Sequence, residues 1–206
     1  MTNSSKKCTY PFIETICLID GKAKHLAFHQ QRMDATYQYA WSIPNPIDLH
    51  DLFAQHQLQS PGTYKYRIVY DQQGILETSR TPYTHPVIKR IKLVEANQIS
   101  YPFKSIKRDH FTRYKERFPE ADDILFIKNG LLTDTSFCHI ALSDGNAWVT
   151  PHMPLLWGTT RLRLIQAGLL TEKHIRISDL PRYTHIMLFN AMNDFGQIIL
   201  SISALY

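Results

Sequence analysis

Short runs of β-forming residues fill most of the first hundred positions, and two segments without Gly or Pro interrupt them. The run FIETICLI is followed by an Asp-Gly turn, so KHLAF is predicted to return beside it as a partner strand. HQQRMDATYQYAW predicts a helix that ends before Pro44 and Pro46, and DLHDLFAQH predicts a second helix. Three β-rich runs then predict strands: YKYRIVYD, GILETSR and VIKRIKLVE.

The second half of the chain alternates hairpins with single helices. IKRDHFTRYKERF predicts a helix whose large side chains share one face: Ile106, His110, Phe111, Tyr114 and Phe118. An Asn-Gly turn divides DDILFIKNGLL into two strands, which is a strong hairpin pattern. The Asp144-Gly145 turn separates FCHIAL from AWVTP and predicts a second hairpin.

A further helix is predicted from about Thr160 to about Ala167, with Gly168 in the position of a C-cap. Ser178 is predicted to cap a short turn before the strand HIMLFNAM. Together these elements predict an α+β fold with a strand-rich N-terminal half. We place a small N-terminal α+β domain at residues 1–97, an interdomain connection at 98–104 and a larger C-terminal domain at 105–206.

The composition is that of a soluble globular protein. Of the 206 residues, 44% are hydrophobic and 20% are charged, and no apolar run approaches the roughly 20 residues of a membrane-spanning helix. The first residues contain no long apolar core or cleavage site, which argues against a signal peptide. Cys8, Cys17 and Cys138 form no CxxC pair, which argues against a zinc site or a disulfide framework. We therefore expect a cytoplasmic protein with no metal and no membrane contact.

Three features are compatible with an anion. The net charge of +5 comes from dispersed basic residues, which suit a small anionic molecule or only aid solubility, and they form no tail typical of nucleic-acid binding. In MPLLWGTTRLRLIQAG, the turn Gly158-Thr159-Thr160 at a helix start is either a phosphate site or a plain N-cap. Arg32 in HQQR is either an anion ligand or an exposed arginine.

The order of the motifs resembles the class IV aminotransferase family. ETICLIDGK and HQQR come first, followed by FKSIKR, KNGLLTDTSFCHIALSDGNAWVTP and PLLWGTTR. The resemblance extends from about Tyr10 to about Ile199 and is most specific between Gly130 and Arg161. It implies a two-domain enzyme of fold type IV, with a smaller N-terminal α/β domain and a C-terminal domain of β-hairpins or a barrel with helices. It also implies pyridoxal 5'-phosphate (PLP) as the cofactor.

The resemblance assigns catalytic roles to two residues. Lys104 matches the lysine that forms a Schiff base with the cofactor aldehyde, and Lys107 is the competing choice. Asp134 matches a glutamate that pairs with the protonated pyridine nitrogen, although its side chain is one methylene shorter. His139 stands where the family usually has asparagine and is a candidate substrate contact, and Trp157 stands where the family usually has proline.

The resemblance also implies how phosphate and substrate are held. Arg32 and the turn Gly158-Thr159-Thr160 would bind the phosphate, and Asn190-Ala191 stands at the family's second phosphate turn. Glu14 lies near the predicted substrate region, in an N-terminal segment that is shorter than usual for the family. Arg67 is either the ligand of a substrate carboxylate or a surface charge on its strand.

The implied reaction begins when a substrate amine displaces Lys104, which then removes the α-proton as general base. Returning the proton to the cofactor gives transamination, as in branched-chain and D-amino-acid aminotransferases, and expelling pyruvate gives an aminodeoxychorismate lyase. The Asn190-Ala191 turn favours the lyase and Glu14-Thr15 favours an aminotransferase; we favour the lyase. A non-catalytic cofactor-binding homologue is a further alternative, and a generic anion- or nucleic-acid-binding α+β protein, which rests only on the charge of +5, is another. The resemblance implies a homodimer that acts on an amino-bearing small molecule and binds no nucleic acid.

Overall fold

The computed structural model describes residues 10–55 and 61–206. The helices of this part of the chain are α1 (Leu26–Trp41), α2 (Leu49–Gln55), α3 (Asp109–Arg117) and α4 (Thr159–Gln166). Its strands are β1 (Phe12–Ile19), β2 (Lys22–Ala23), β3 (Thr63–Asp71), β4 (Gly74–Pro82), β5 (Ile91–Glu95), β6 (Asp123–Lys128), β7 (Leu131–Thr135), β8 (His139–Ser143), β9 (Trp148–Pro151), β10 (Thr171–Lys173), β11 (His185–Phe189) and β12 (Ile198–Ser201). Short 3₁₀ helices span Ile177–Arg182 and Ile202–Ala204.

The chain divides into two compact units, and both combine sheets with helices. The first unit contains the chain up to Thr84 together with Phe103–Lys107, and the second contains His85–Pro102 and Arg108–Tyr206. The predicted α+β class is confirmed. The domain limits 1–97, 98–104 and 105–206 stay a prediction. In the described ranges, no helix has both the length and the apolar composition needed to cross a membrane.

The first unit is built on an antiparallel sheet in the order β2-β1-β3-β4. Successive side chains of a strand point to opposite faces, so Phe12, Ile16 and Leu18 of β1 share one face. That face packs against Met33 and Tyr37 of α1 in a continuous apolar cluster. The alternation therefore leaves every second residue of β1, including Glu14, on the face that α1 covers.

Two strand predictions in the N-terminal half need correction. The prediction of a strand at KHLAF is wrong, because β2 ends at Ala23 and α1 begins at Leu26. In the helical conformation, the side chain of Leu26 packs on the apolar cluster that β1 and α1 form. This packing stabilises the helix at Leu26. VIKRIKLVE forms a strand only from Ile91, and this strand pairs in parallel with β6 in a different sheet.

The second unit contains a sheet in the order β10-β9-β8-β11-β12 and a smaller one in the order β5-β6-β7. The two predicted hairpins are confirmed, since β6 pairs with β7 and β8 pairs with β9, both antiparallel. Asn129 and Gly130 have φ angles of 52° and 75°, as a two-residue hairpin turn of type I′ requires. This sheet arrangement brings β8 beside β11, so that His139 is the cross-strand partner of Phe189.

The helix predictions in this unit hold with shifted ends. α4 spans Thr159–Gln166, and Gly168 adopts a left-handed φ of 70° just after it, as predicted. α3 begins at Asp109, so Ile106 precedes the helix and is 41% exposed, in contrast to its predicted place on the helical face. Ser178 lies inside a 3₁₀ helix whose N-cap is Arg176, so its prediction as a cap is wrong.

Candidate active-site residues in each unit

The carboxylate of Asp134, near the end of β7, accepts hydrogen bonds on both of its oxygens. One carboxylate oxygen, Oδ1, lies 2.8 Å from Nδ1 of His139, and both side chains are buried. The other oxygen, Oδ2, accepts the backbone N–H groups of Leu155 at 2.7 Å and Leu156 at 3.1 Å. Because a carboxylate has about four acceptor positions, three donors leave one of them available.

The imidazole of His139 lies against Gly158. A Cβ atom built on Gly158 would lie 1.8 Å from Nε2 of His139 and 2.5 Å from its Cδ2, distances at which something must move. The φ and ψ of Gly158 are −80° and 140°, which any residue adopts, so this glycine is needed for space and not for backbone freedom. Within the described residues, Nε2 of His139 forms no hydrogen bond.

The start of α4 has no side-chain cap. Its N-cap is Gly158, and Thr159 and Thr160 are each only 5% exposed. In the part of the chain that the structure describes, neither threonine hydroxyl forms a hydrogen bond with another residue. The first N–H groups of a helix lack partners inside the helix, and together with the dipole they attract an anion. The predicted phosphate turn therefore has the local geometry of an anion site.

Arg161, the next residue of α4, is engaged away from this turn. Its Nη2 donates to the carbonyl of Pro151 at 2.8 Å and to Glu172 at 2.6 Å, and its guanidinium lies 5.5 Å from the ring centroid of Trp157. These contacts join α4 to β9 and β10. Trp157 itself is 58% exposed, so its ring contributes little to the core.

The loop between Asp134 and His139 is held by side chains from outside it. Ser136 donates its hydroxyl to Asp123 Oδ1 at 2.5 Å, and Arg108 donates to the carbonyl of Ser136 at 2.5 Å. Burial raises the pKa of Asp123 in spite of the hydrogen bonds that its carboxylate accepts. The loop thus has anchors on both sides, which fixes the distance between Asp134 and His139.

Asn190 supports the same loop from β11. Its side-chain Oδ1 accepts the backbone N–H groups of Met192 at 2.8 Å and Asn193 at 2.9 Å, and its Nδ2 donates to the carbonyl of Phe137 at 3.1 Å. The amide therefore shapes the turn that includes Ala191. Its role as a phosphate ligand stays a prediction, since these contacts concern only the turn and the loop at Phe137.

The first unit holds a buried ionic cluster. Glu14 is fully buried; its carboxylate accepts hydrogen bonds from Arg32 Nε at 2.7 Å and Nη2 at 2.6 Å, and it lies 2.7 Å from Nδ1 of His29. Burial alone would raise the pKa of Glu14, but the Arg32 charge and the hydrogen bonds from His29 and Arg32 outweigh it and lower this pKa to about 2. Glu14 is therefore ionised at neutral pH and holds Arg32 in one orientation.

His29 is the member of this cluster that the sequence did not single out. Burial lowers its pKa below 6.5, and the charges of Arg32 and Lys104 lower it further, against the raising effect of Glu14. The ring is thus neutral at pH 7 and carries its proton on Nδ1, where the carboxylate accepts it. The spacing of His29 and Arg32, three residues apart in α1, was the available signal, because such residues share a helix face.

The candidate lysines and Arg67 also belong to the first unit. Lys104 is half-buried, its carbonyl accepts the N–H of Ile13, and its charge acts on buried His29. Lys107 is exposed, with Nζ 4.2 Å from the ring centroid of Tyr10. Arg67 is half-buried opposite Thr15 in the β1–β3 pair, so it lies on the face opposite to Glu14.

A family model described as amino-transferase class IV matches residues 12–199. The chain belongs to the class IV aminotransferase family. The predicted resemblance is thereby confirmed, and it covers most of both units.

Solved structures of class IV aminotransferases and lyases have the same fold. A candidate 4-amino-4-deoxychorismate lyase from Haemophilus somnus 129PT is 30% identical, with a TM-score of 0.84 over 91% of this chain and 99% of that one. A hypothetical aminotransferase from Mycobacterium tuberculosis, solved in a PLP-bound form, has a TM-score of 0.75 at 17% identity, over 95% of this chain and 81% of that one. These matches confirm fold type IV.

A curated relative comes from Haemophilus influenzae. This uncharacterised protein is 29% identical over 187 residues, which cover 89% of this chain and 98% of the relative. Its similarity therefore extends over nearly the whole length of both proteins.

Proposed function

We propose that this protein is a PLP-dependent enzyme that acts on an amino-bearing small molecule. The observation that carries the proposal is the start of α4, where no side chain caps the helix and the buried Thr159 and Thr160 have hydroxyls without hydrogen-bond partners in the described chain. These residues fit a phosphate group. The remaining acceptor position of Asp134 fits the N–H of a protonated pyridine ring. Membership of the class IV aminotransferase family supports the same cofactor.

When bound, PLP supplies an aldehyde that bonds to amines and a protonated ring that withdraws electrons from the α-carbon. Lys104 is the residue that we propose to hold the aldehyde carbon through Nζ and, once released, to take the α-proton. Asp134 would keep the pyridine nitrogen protonated. The turn Gly158-Thr159-Thr160 would hold the phosphate, Arg32 is a further candidate phosphate ligand, and Arg67 would orient a substrate carboxylate.

Of the two reactions open to this family, we propose elimination of pyruvate from aminodeoxychorismate. The Asn190-Ala191 turn supports it, and so does the similarity to a candidate 4-amino-4-deoxychorismate lyase at 30% identity. Amino-acid transamination is the second candidate, favoured by the Glu14-Thr15 pair in β1. A homologue that binds the cofactor without turnover is the third, since Asp134 and His139 replace the family's usual glutamate and asparagine.

An absorbance spectrum of the purified protein with added PLP, followed by borohydride reduction, tests the cofactor assignment. We expect a visible band and a reduced adduct on Lys104, both lost in Lys104→Ala and kept in Lys107→Ala. A reducible adduct that persists in Lys104→Ala would show that another lysine bonds the cofactor. A protein without any adduct would refute the proposed function.

Product analysis then separates the reactions. Pyruvate released from aminodeoxychorismate supports the lyase, whereas a new amino acid formed from an amino donor with pyruvate or 2-oxoglutarate supports the aminotransferase. Turnover of none of these substrates by the cofactor-loaded protein supports the non-catalytic homologue. We also propose a homodimer in the cytoplasm, and light scattering of the cofactor-loaded protein measures its mass in solution.

A further inference from the structure

We propose that His139 is a ligand of the phosphate group bound at the start of α4, held in place by Asp134. The proposal rests on the proposed function for the identity of the anion, but its geometry is local to the second unit. It assigns a role to the histidine that stands where the family usually has asparagine. It also makes Asp134 a positioning residue for that histidine, in addition to its proposed contact with the pyridine ring.

The first step of the argument concerns the orientation of the ring. Nδ1 of His139 lies 2.8 Å from Oδ1 of Asp134, and a carboxylate can only accept, so Nδ1 carries a proton. Asp134 cannot turn away, because Leu155 and Leu156 hold its other oxygen through their backbone N–H groups. A ring held at Nδ1 directs Nε2 away from Asp134.

The second step concerns what Nε2 faces. A Cβ on Gly158 would lie 1.8 Å from Nε2, so this nitrogen occupies the place that the side chain of an N-cap residue would take. Gly158 has no side chain that could accept from the first N–H groups of α4, and no other side chain caps this end of the helix. Nε2 therefore lies beside the same turn as those N–H groups and the hydroxyls of Thr159 and Thr160.

The third step concerns partners. His139 is 6% exposed, and its Nε2 makes no hydrogen bond to any residue of the described chain. Nε2 is not among the fully enclosed side-chain atoms that lack a partner, so a ligand can reach it, and a ring nitrogen beside an uncapped helix start can bind an anion together with the first N–H groups. A phosphate oxygen accepts from Nε2–H, from the hydroxyls and from the N–H groups together.

The fourth step concerns charge. The carboxylate of Asp134 lies one imidazole ring away from this turn, and its negative charge opposes a phosphate. An imidazole that donates from both nitrogens carries a positive charge, which offsets Asp134 and adds a charge-assisted hydrogen bond to the anion. If Nε2 instead contacted only the pyridine ring of the cofactor, replacing His139 would not change the affinity for inorganic phosphate, which has no ring.

The experiment uses inorganic phosphate as the probe, because it has the phosphate chemistry without the ring. His139→Asn keeps an amide that can donate to Asp134 but loses Nε2. We expect its affinity for inorganic phosphate, measured by calorimetry, to fall about tenfold to a hundredfold, as loss of a charge-assisted hydrogen bond implies. His185→Asn is the matched control: His185 is exposed at the opposite end of the β8–β11 pair, and its loss should change this affinity by less than about twofold.

A second measurement needs no variant at the site. In wild-type protein with ¹⁵N-labelled histidine, the Nε2 resonance of His139 should shift on phosphate addition and stay unchanged with chloride, while that of His185 stays unchanged in both. An unshifted His139 resonance at saturating phosphate would overturn the proposal. So would unchanged phosphate affinity in His139→Asn, or a wild-type protein that binds no phosphate.

The outcomes of this experiment can be distinguished from those of the cofactor test. A Lys104 adduct together with phosphate affinity that is independent of His139 would overturn this inference and leave the proposed function intact. Phosphate binding that depends on His139, without a cofactor adduct on any lysine, would refute the proposed function and support the assignment of His139 as a phosphate ligand.

Discussion

Gly158→Ala should destabilise the protein through one identifiable contact, the ring of His139. The new Cβ would lie 1.8 Å from Nε2, whereas ordinary contacts begin at 3.4 Å, so the ring must move by about 1.6 Å. A displacement of that size breaks the 2.8 Å hydrogen bond to Asp134. Overpacking costs about 1–3 kcal/mol and a lost hydrogen bond to a charged group about 1.5–3 kcal/mol. We therefore expect about 3 kcal/mol less free energy of unfolding.

The double-mutant cycle isolates this contact. In a His139→Ala background there is no ring to displace, and the backbone angles of Gly158 suit alanine, so the same change should cost less than about 0.5 kcal/mol. Urea unfolding followed by circular dichroism gives the four free energies, and their coupling should be about 2 kcal/mol or more. Equal costs of Gly158→Ala in both backgrounds would refute the reasoning, because the clash would then lie elsewhere.

Three further predictions concern buried carboxylates. Glu14→Gln should lower the free energy of unfolding by about 3–5 kcal/mol, because it removes the buried negative charge that pairs with Arg32. In the same urea titration, exposed Glu77→Gln should change the free energy of unfolding by less than about 0.5 kcal/mol. The folded pKa of Glu14 is lowered to about 2, so the contribution of its ionised form to the free energy of unfolding is complete above about pH 4.5 and is lost as the pH falls towards 2. The free energy of unfolding of Glu14→Gln, measured against pH, should lack this loss. A profile identical to that of the wild-type protein would contradict the prediction. Burial raises the folded pKa of Asp123, so the fold disfavours the ionised form of this carboxyl group. Asp123→Asn should therefore be less destabilising at pH 7 than at pH 3, as measured by thermal melting. A larger loss of stability at pH 7 than at pH 3 would contradict this prediction.

The features that the sequence predicts correctly depend on neighbours in the chain. The Asn129-Gly130 turn needs two residues with positive φ, and Gly168 also adopts a positive φ where it ends α4. Both features can therefore be predicted from a few consecutive residues. The order of the motifs predicts the family because these motifs are spread over most of the chain.

The features that the sequence did not predict depend on distant partners. Leu26 belongs to α1 because its side chain packs on a cluster formed with β1, and no local pattern excludes a strand there. Ile91 starts a strand that pairs in parallel with residues more than thirty positions later. The two backbone N–H groups that hold Asp134 come from Leu155 and Leu156, and backbone donors carry no sequence signal.

The ion pair between Glu14 and Arg32 has a consequence for how an anion would approach. Glu14 is fully buried and Arg32 is only 13% exposed on its side chain, so the pair presents almost no net charge to solvent. Long-range attraction of a phosphate to Arg32 is therefore weak, and the interaction gains strength only at hydrogen-bonding distance. The contribution of this pair to the rate at which an anion arrives should then vary little with ionic strength, and its selectivity would come from the fit of the guanidinium held by Glu14 and not from electrostatic steering.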